Sequence, residues 1–274
     1  MTDTIDHEYV LGTQSDELDR LQMQHELWAD AARAQWRIGG FGSGQTLIDL
    51  GCGPGFATRE LAGIAGAGGK VIGVDVSKRF LEHAKVYAND GNDAGVEMIH
   101  ADAQDVSIGE GIADGLYSRW VLSFTPEPER VIGHISRAMK PGGTVVIQDY
   151  VSWASLLWAP MNETLGVLRR SIMSMYEAQN ADSSVGQKLP SMLVRHGFEI
   201  REVRPLHRIA RPGEPLWKWP TVFFRTFLPK VVEAGHMTQS EFERWDAEWR
   251  ELERTPGAFF MTPPQVEIIA DKTR

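Results

Sequence analysis

Residues Leu47 to Gly55 read LIDLGCGPG, an apolar run that breaks into three glycines within five positions. A short strand must end there in a tight turn and pass at once into a helix, Phe56–Ala65, with Leu61 and Ile64 inward. The same alternation continues as far as Tyr150. KVIGVDV gives a second strand, VEMIHA a third, GLYSRWVL a fourth and TVVIQDY a fifth. Between them Ser77 caps a helix from Lys78 to about Ala88. Thr125 caps another whose first position is Pro126, whose inner face is Val131, Ile132, Ile135 and Met139, and which KPGG ends. Strands this apolar, separated by helices, predict a parallel α/β sheet covered on both faces.

The alternation stops after Tyr150. Pro160 to Gln179 is predicted helical, with Leu165, Leu168, Ile172 and Met175 on one face. QKLPSMLVRHGFEIREVRPLHRIA then restores a short helix and a strand. A later helix opens with TQSE, a capping box at Thr238 and Glu241, and turns Phe242, Trp245, Trp249 and Leu252 to one side. QVEIIAD is the last strand. The expected organisation is therefore an N-terminal helical segment 1–45, a core 46–150, a helical insertion 151–185, core helix and strand 186–210, a Trp-rich helical insertion 211–262, and a final core strand 263–274. Six of nine tryptophans (Trp153, Trp158, Trp217, Trp219, Trp245 and Trp249) fall after Tyr150. They suggest either a lid over an apolar substrate or helices that pack only on one another.

In an open α/β sheet, ligands sit at the carboxyl ends of the strands where strand order reverses, so the glycine loop belongs at a binding site. A dinucleotide fingerprint needs a glycine at its sixth position, and Phe56 stands there instead. A phosphate-cradling loop needs Lys and Ser/Thr after its last glycine, and GFATR lacks them at that offset. A ligand with an amino-acid tail, a ribose and an adenine but no phosphate fits better, and S-adenosylmethionine is such a molecule. The loop N–H groups and the following helix N-terminus suit its carboxylate. Asp49 can accept from its ammonium, Asp75 from both ribose hydroxyls, and Asp102 from the adenine amine. Val76 offers the ring an apolar surface, and the Ala103 N–H faces a ring nitrogen.

LIDLGCGPG, VIGVDVS, ADAQD, YSRWVL and KPGGTVVIQD, in this order and spacing, resemble the successive motifs of class I S-adenosylmethionine-dependent methyltransferases, most of all the bacterial small-molecule group that includes quinone-biosynthesis-like enzymes. The resemblance covers 46–150, 186–206 and the final strand. It implies a Rossmann-like, seven-stranded, mostly parallel sheet whose last strand runs antiparallel. It also implies binding roles for Gly51 with Gly53, Asp75 with Val76, and Asp102 with Ala103. Cys52, between these glycines, is expected among the cofactor-binding residues of the loop, as a small buried side chain rather than a nucleophile. Ser118 and Arg119 match the position after the fourth strand, where backbone carbonyls could complete the ammonium site. In related enzymes a segment like the N-terminal one, with its apolar Leu18, Leu21 and Leu27, folds over the cofactor cleft and would bring Tyr9 and Gln24 to it.

The balance of 28 Lys+Arg against 37 Asp+Glu, a net charge of −9, argues against a nucleic acid partner, because phosphate neutralisation needs clustered cations. No NPPY-like tetrapeptide is present. The single cysteine excludes an intrachain disulfide, no apolar run approaches membrane-span length, and the acidic start is no secretory signal, so a cytoplasmic protein is expected. The eight histidines show no zinc spacing, and no metal is predicted. The expected activity is in-line methyl transfer to a small, hydrophobic or aromatic acceptor. A base for a phenol or carbon acid is sought among Asp149, Tyr150, His207 and His236, although proximity alone can suffice. A protein substrate, or a non-catalytic protein that binds S-adenosylmethionine or S-adenosylhomocysteine, stays open. So do the acceptor atom and the oligomeric state.

Overall fold

The computed structural model describes residues 15–273. Seven strands form the central sheet: β1 (Thr46–Leu50), β2 (Lys70–Asp75), β3 (Gly95–His100), β4 (Ala113–Arg119), β5 (Met139–Tyr150), β7 (Phe198–Leu206) and β10 (Gln265–Lys272). Their spatial order is β3-β2-β1-β4-β5-β10-β7. β10 is antiparallel to both neighbours, while the β1–β2, β1–β4, β2–β3 and β4–β5 pairs are parallel. The chain runs outward from β1 to β3 and returns beside β1 as β4, so the strand order reverses between β1 and β4. That is where a crevice opens above the carboxyl ends.

Period-two alternation divides the strand side chains between two cores. Ile48, Leu50, Leu116, Val145, Ile147 and Ile268 face α4 (Pro128–Ala138) and α6 (Leu189–Arg195). Leu47, Tyr117, Val146 and Ile269 face α1 (Ser15–Gly39) and α2 (Phe56–Ala65), where Trp36 meets Tyr117 edge-on. α3 (Lys78–Asn89) packs beside α2, and the Ser77 hydroxyl accepts from the Phe80 N–H at its start. The expected cap at Thr125 is corrected. Its hydroxyl donates to the Leu122 carbonyl and closes a 3-10 turn, Leu122–Phe124, so α4 begins two residues later, after Glu127. KPGG loops out where β4–β5 pairing skips from Met139 to Thr144.

α1 is longer than its leucines suggested. Its inward face is Trp28, Ala29, Ala32 and Trp36, continued by the buried polar residues Glu17, Arg20 and His25, while Leu18, Leu21 and Leu27 are only half-buried. The two insertions build one further core over the carboxyl ends of the strands. α5 (Glu163–Ala178), α7 (Lys218–Glu233) and α8 (Gln239–Leu252) enclose it, with the Thr238/Glu241 capping box in place. They are not purely helical. β6 (Leu157–Ala159), β8 (Ile209–Ala210) and β9 (Phe259–Met261) make a small antiparallel sheet that ties the insertions together. Trp158, Trp217, Trp245 and Trp249 pack on one another inside this core: Trp217 stacks on Trp249 at 4.8 Å, and Trp158 meets Trp249 edge-on at 5.6 Å. For these four, mutual packing is the outcome.

Candidate active site

A cavity of about 630 Å³ lies above the β1/β4 reversal. Its wall includes Asp49, the loop Gly51–Pro54, Asp75 and Val76, Asp102 and Ala103, and Arg119. α1 supplies Gln24 and His25. A shallower depression follows the outer face of α8 and holds none of these residues.

The three glycines have three different reasons. A Cβ on Gly51, at φ +71°, would stand 2.2 Å from Val121 Cγ2, so the close approach is to the end of the neighbouring strand. A Cβ on Gly55, at φ +88°, would meet Ala84 of α3 at 2.7 Å. One on Gly53, at φ +52°, would meet nothing within 4 Å, yet Gly53 lines the cavity. Only this glycine leaves its space to a ligand. The loop N–H groups differ from expectation. Those of Gly51 and Cys52 donate to the Val74 carbonyl, that of Gly55 to Cys52, and that of Gly53 to Asp75 Oδ2 at 2.8 Å. They hold the turn, so an anionic tail must look elsewhere. The N–H groups of Phe56, Ala57 and Thr58, in the first turn of α2, have no intrahelical acceptor.

The carboxylates sit in unequal surroundings. Asp49 is 2% exposed and accepts from Thr58 Oγ1 at 2.6 Å. Burial pushes its pKa up to about 6, against the pull of Thr58 and of the Arg119 charge. Burial also raises Asp75, while N–H donors at Ser77 and Gly53 counter it. Asp102 Oδ1 accepts from the Gln104 N–H at 2.8 Å and keeps its place on the wall. Burial raises the Cys52 thiol well above its ordinary value, as expected for a packing residue rather than a nucleophile.

Strand parity separates Ser118 from Arg119. Ser118 lies two residues after Leu116 and shares its face toward α4. Its side chain is fully buried and does not line the cavity, which leaves its main chain as the part that could serve the site. Arg119 points toward α1. His25 Nε2 bonds Glu60 Oε1 at 2.7 Å, and Arg119 Nη2 reaches His25 Nδ1 at 3.2 Å. The carboxylate selects the tautomer with the proton on Nε2, which leaves Nδ1 to accept from the guanidinium. Burial, with the Arg119 charge in support, lowers the His25 pKa against the pull of Glu60. Arg119 Nη1 is buried with no partner. Periodicity missed His25 because its partners, Glu60 and Arg119, come from distant elements. Its spacing from Arg20, Gln24 and Trp28 on one helix was the available signal.

Trp120 follows with φ +56°, a conformation a bulky side chain adopts only under constraint. Its N–H donates to the Gln148 carbonyl and its indole N–H to Gln265 Oε1 at 2.8 Å. Its ring stacks on Tyr150 at 10° and meets Trp28 edge-on. Such strain, of about 1–3 kcal/mol, concentrates at functional sites.

The other expected residues divide. Tyr150 lines the cavity, and Gln24 does so while accepting from Arg20 and from Trp219 Nε1. Asp149 is corrected: its Oδ2 accepts from the Leu122 and Ser123 N–H groups, its Oδ1 from Tyr150, and it lies outside the cavity wall. Its alternation with Tyr150 turns it toward the 3-10 turn. His207 is exposed, and His236 Nδ1 is bound to Ser174 Oγ at 2.6 Å, so neither reaches the site. Tyr9 lies outside the described residues. Among the described residues, no group of three or more His, Cys, Asp or Glu could hold a metal ion, and no helix is long and apolar enough to cross a membrane.

Residues 48–147 match the model of a methyltransferase domain. Over 173 residues the chain is 34% identical to the demethylmenaquinone methyltransferase of Oceanobacillus iheyensis, covering 59% of this chain and 73% of that one. The Lactococcus lactis enzyme of the same name is 35% identical over 45% of this chain and 48% of its own length. An O-methyltransferase of Penicillium expansum is 34% identical over 64% of this chain and 59% of its own length. The chain thus spans about half to three fifths of the length of these last two relatives. In fold it is similar to a Bacillus halodurans protein, with TM-score 0.60, 15% identity and coverage of 88% of this chain and 98% of that one. The chain belongs to the class I S-adenosylmethionine-dependent methyltransferases, whose cofactor is S-adenosylmethionine.

Proposed function

We propose that this protein transfers the methyl group of S-adenosylmethionine to a small, neutral, largely apolar aromatic acceptor. One observation carries the reading. The charged members of the cavity wall (Arg20, His25, Asp49, Asp75, Asp102 and Arg119) all come from α1 or from the carboxyl ends of β1 to β4, whereas the wall from Val121 onward carries no charged side chain and is largely aromatic. The polar end suits the cofactor. Asp75 faces the ribose, Asp102 and Val76 the adenine, and Asp49 the ammonium. Arg119, with Nη1 unpartnered, takes the carboxylate that the loop N–H groups are not free to bind. Bound there, the cofactor supplies a sulfonium-activated methyl group.

The chain's own contribution is alignment and the exclusion of water. Holding a nucleophile in line accounts for about 7 kcal/mol of barrier or more in favourable cases. An acceptor bearing phosphate or carboxylate would find no counter-charge on the aromatic wall, whereas a neutral phenol or hydroquinone would meet mainly rings there, with a few neutral polar groups between them. Two relatives are named for demethylmenaquinone and a third for O-methylation, which supports an aromatic acceptor. In this proposal 151–185 and 211–262 serve as the acceptor lid through Trp153, Ile172, Tyr176, Phe223 and Phe227. A cytoplasmic setting, consistent with a lone buried thiol, belongs to the same proposal. The test is methyl-tritium transfer to a panel of neutral phenols and hydroquinones beside phosphoethanolamine and sarcosine. Label is expected in the aromatic compounds alone; tight S-adenosylhomocysteine binding with no labelled aromatic product would refute the catalytic reading.

A further inference from the structure

Three buried polar atoms without a well-formed hydrogen-bond partner lie on or behind the aromatic wall: the Tyr176 hydroxyl and Trp153 Nε1 on it, and Ser123 Oγ behind it. Their residues are 6%, 3% and 0% exposed. Tyr176 and Trp153 belong to the cavity wall, and their ring centroids are 6.4 Å apart. Burial raises the Tyr176 phenol well above its ordinary value, and weak, poorly aligned hydrogen bonding with the Ser123 and Trp153 side chains acts against that rise. Even so, none of the three meets another in hydrogen-bonding geometry. Each is fixed by its support. Phe124 stacks on Tyr176 at 5.4 Å, Phe223 stacks on Trp153 at 5.5 Å, and the Ser123 N–H is held by Asp149.

An indole N–H only donates, and a neutral phenol in an apolar wall donates readily. The indole can only donate, the two hydroxyls can donate or accept, and buried groups of this kind are normally paired. No cation lies on this wall to accompany a carboxylate or phosphate. A neutral carbonyl oxygen, with two lone pairs in one plane, matches two converging donors. Phe124, 46% exposed and on the wall beside Tyr176, is the ring with room to move aside as such a group enters.

We propose that Tyr176 and Trp153, backed by Ser123, form a specificity subsite for a neutral carbonyl oxygen on the aromatic methyl acceptor. The inference rests on the methyl-acceptor reading of the cavity, but its test needs no turnover. Protein saturated with S-adenosylhomocysteine is titrated, by tryptophan fluorescence, with 4-hydroxyacetophenone and with 4-ethylphenol, which replaces the carbonyl by a methylene. The ketone is expected to bind about tenfold more tightly. Tyr176→Phe should erase that preference and leave 4-ethylphenol binding unchanged. Because the hydroxyl has no well-formed partner before the acceptor enters, the same variant should unfold at a temperature no lower than wild type. Equal binding of the two probes, binding of neither, an equal loss for both in Tyr176→Phe, or a drop of several degrees in its unfolding temperature would each overturn the proposal. A protein that prefers the ketone but transfers no methyl group to any aromatic would instead refute the catalytic reading and leave the subsite standing.

Discussion

Asp49→Asn should make the ligand-free protein more stable and its cofactor binding weaker. Burial moves the Asp49 pKa from 3.8 to about 6. At 1.36 kcal/mol per unit, the folded state prefers the protonated acid by about 3 kcal/mol. For a group raised on folding, this stability is fully present below pH 3.8 and is lost as pH rises through about 6. Above that pH the wild type carries an ionised carboxylate in a buried site. Asparagine stays neutral throughout and still accepts the Thr58 hydroxyl proton. The variant and the wild type should therefore differ little in this respect at the acid end, and by up to about 3 kcal/mol in the variant's favour at pH 8.

The difference between the two proteins is the quantity to measure, because Asp149, also raised to about 6 by burial, and His25, lowered by burial, give the wild type a pH dependence of their own. Urea unfolding at pH 5 and pH 8 without ligand supplies it. Calorimetry with S-adenosylhomocysteine supplies the other half: loss of a charge-assisted hydrogen bond of about 1.5–3 kcal/mol weakens binding ~10- to 100-fold. An Asp49→Asn variant no more stable than wild type at pH 8, or one that binds S-adenosylhomocysteine equally well, would refute the assignment of a buried carboxylate held ready for the ammonium.

Gly53→Ala should fold, with about 1–2 kcal/mol of left-handed backbone strain, and lose most S-adenosylhomocysteine affinity because its Cβ enters the cavity. Gly51→Ala, whose Cβ would stand 2.2 Å from Val121, should unfold at markedly lower temperature; thermal denaturation with and without ligand separates the two. Ser118→Ala should leave affinity unchanged while Arg119→Met lowers it at least tenfold by calorimetry, since only the second side chain lines the cavity. Burial pushes Glu60 up, but His25 and Arg33 outweigh it and bring its pKa down to about 2. Glu60→Gln should therefore remove stability that is present above pH 4.5 and lost as pH falls through 2, and should weaken S-adenosylhomocysteine several-fold by releasing His25 from Arg119, both checked by denaturation and titration at pH 7.

The central sheet was legible because its signals are local: apolar runs of strand length, glycines that end them, and helices between. The antiparallel β10 and the seven-stranded count came from the family resemblance. The small sheet of β6, β8 and β9 was not legible, since runs of two or three residues carry no period and become strands only when the insertions meet. α1 misled through its leucines, because its inner face is built from Trp28, Ala32 and Trp36 with a buried polar stretch at one end.

The candidate site shows the same boundary more sharply. A residue's place at a strand end is written in the sequence, but its face depends on counting from a neighbour of known orientation. Leu116 inward toward α4 fixes Ser118 on that side and Arg119 on the other, and Ile147 fixes Asp149 away from the cavity and Tyr150 beside it. That counting needs only the strand period, so both placements lay within reach of the sequence. The loop N–H groups did not. Four glycine-loop residues near a cofactor suggest an anion cradle, yet three of their N–H groups close the turn on β2 and Cys52 while the fourth fixes Asp75. With those donors used, the proposed carboxylate site falls to the first-turn N–H groups of α2 and to a side-chain cation. Arg119, anchored through His25 to Glu60 across three elements, lines the cavity and has a buried donor, Nη1, left over.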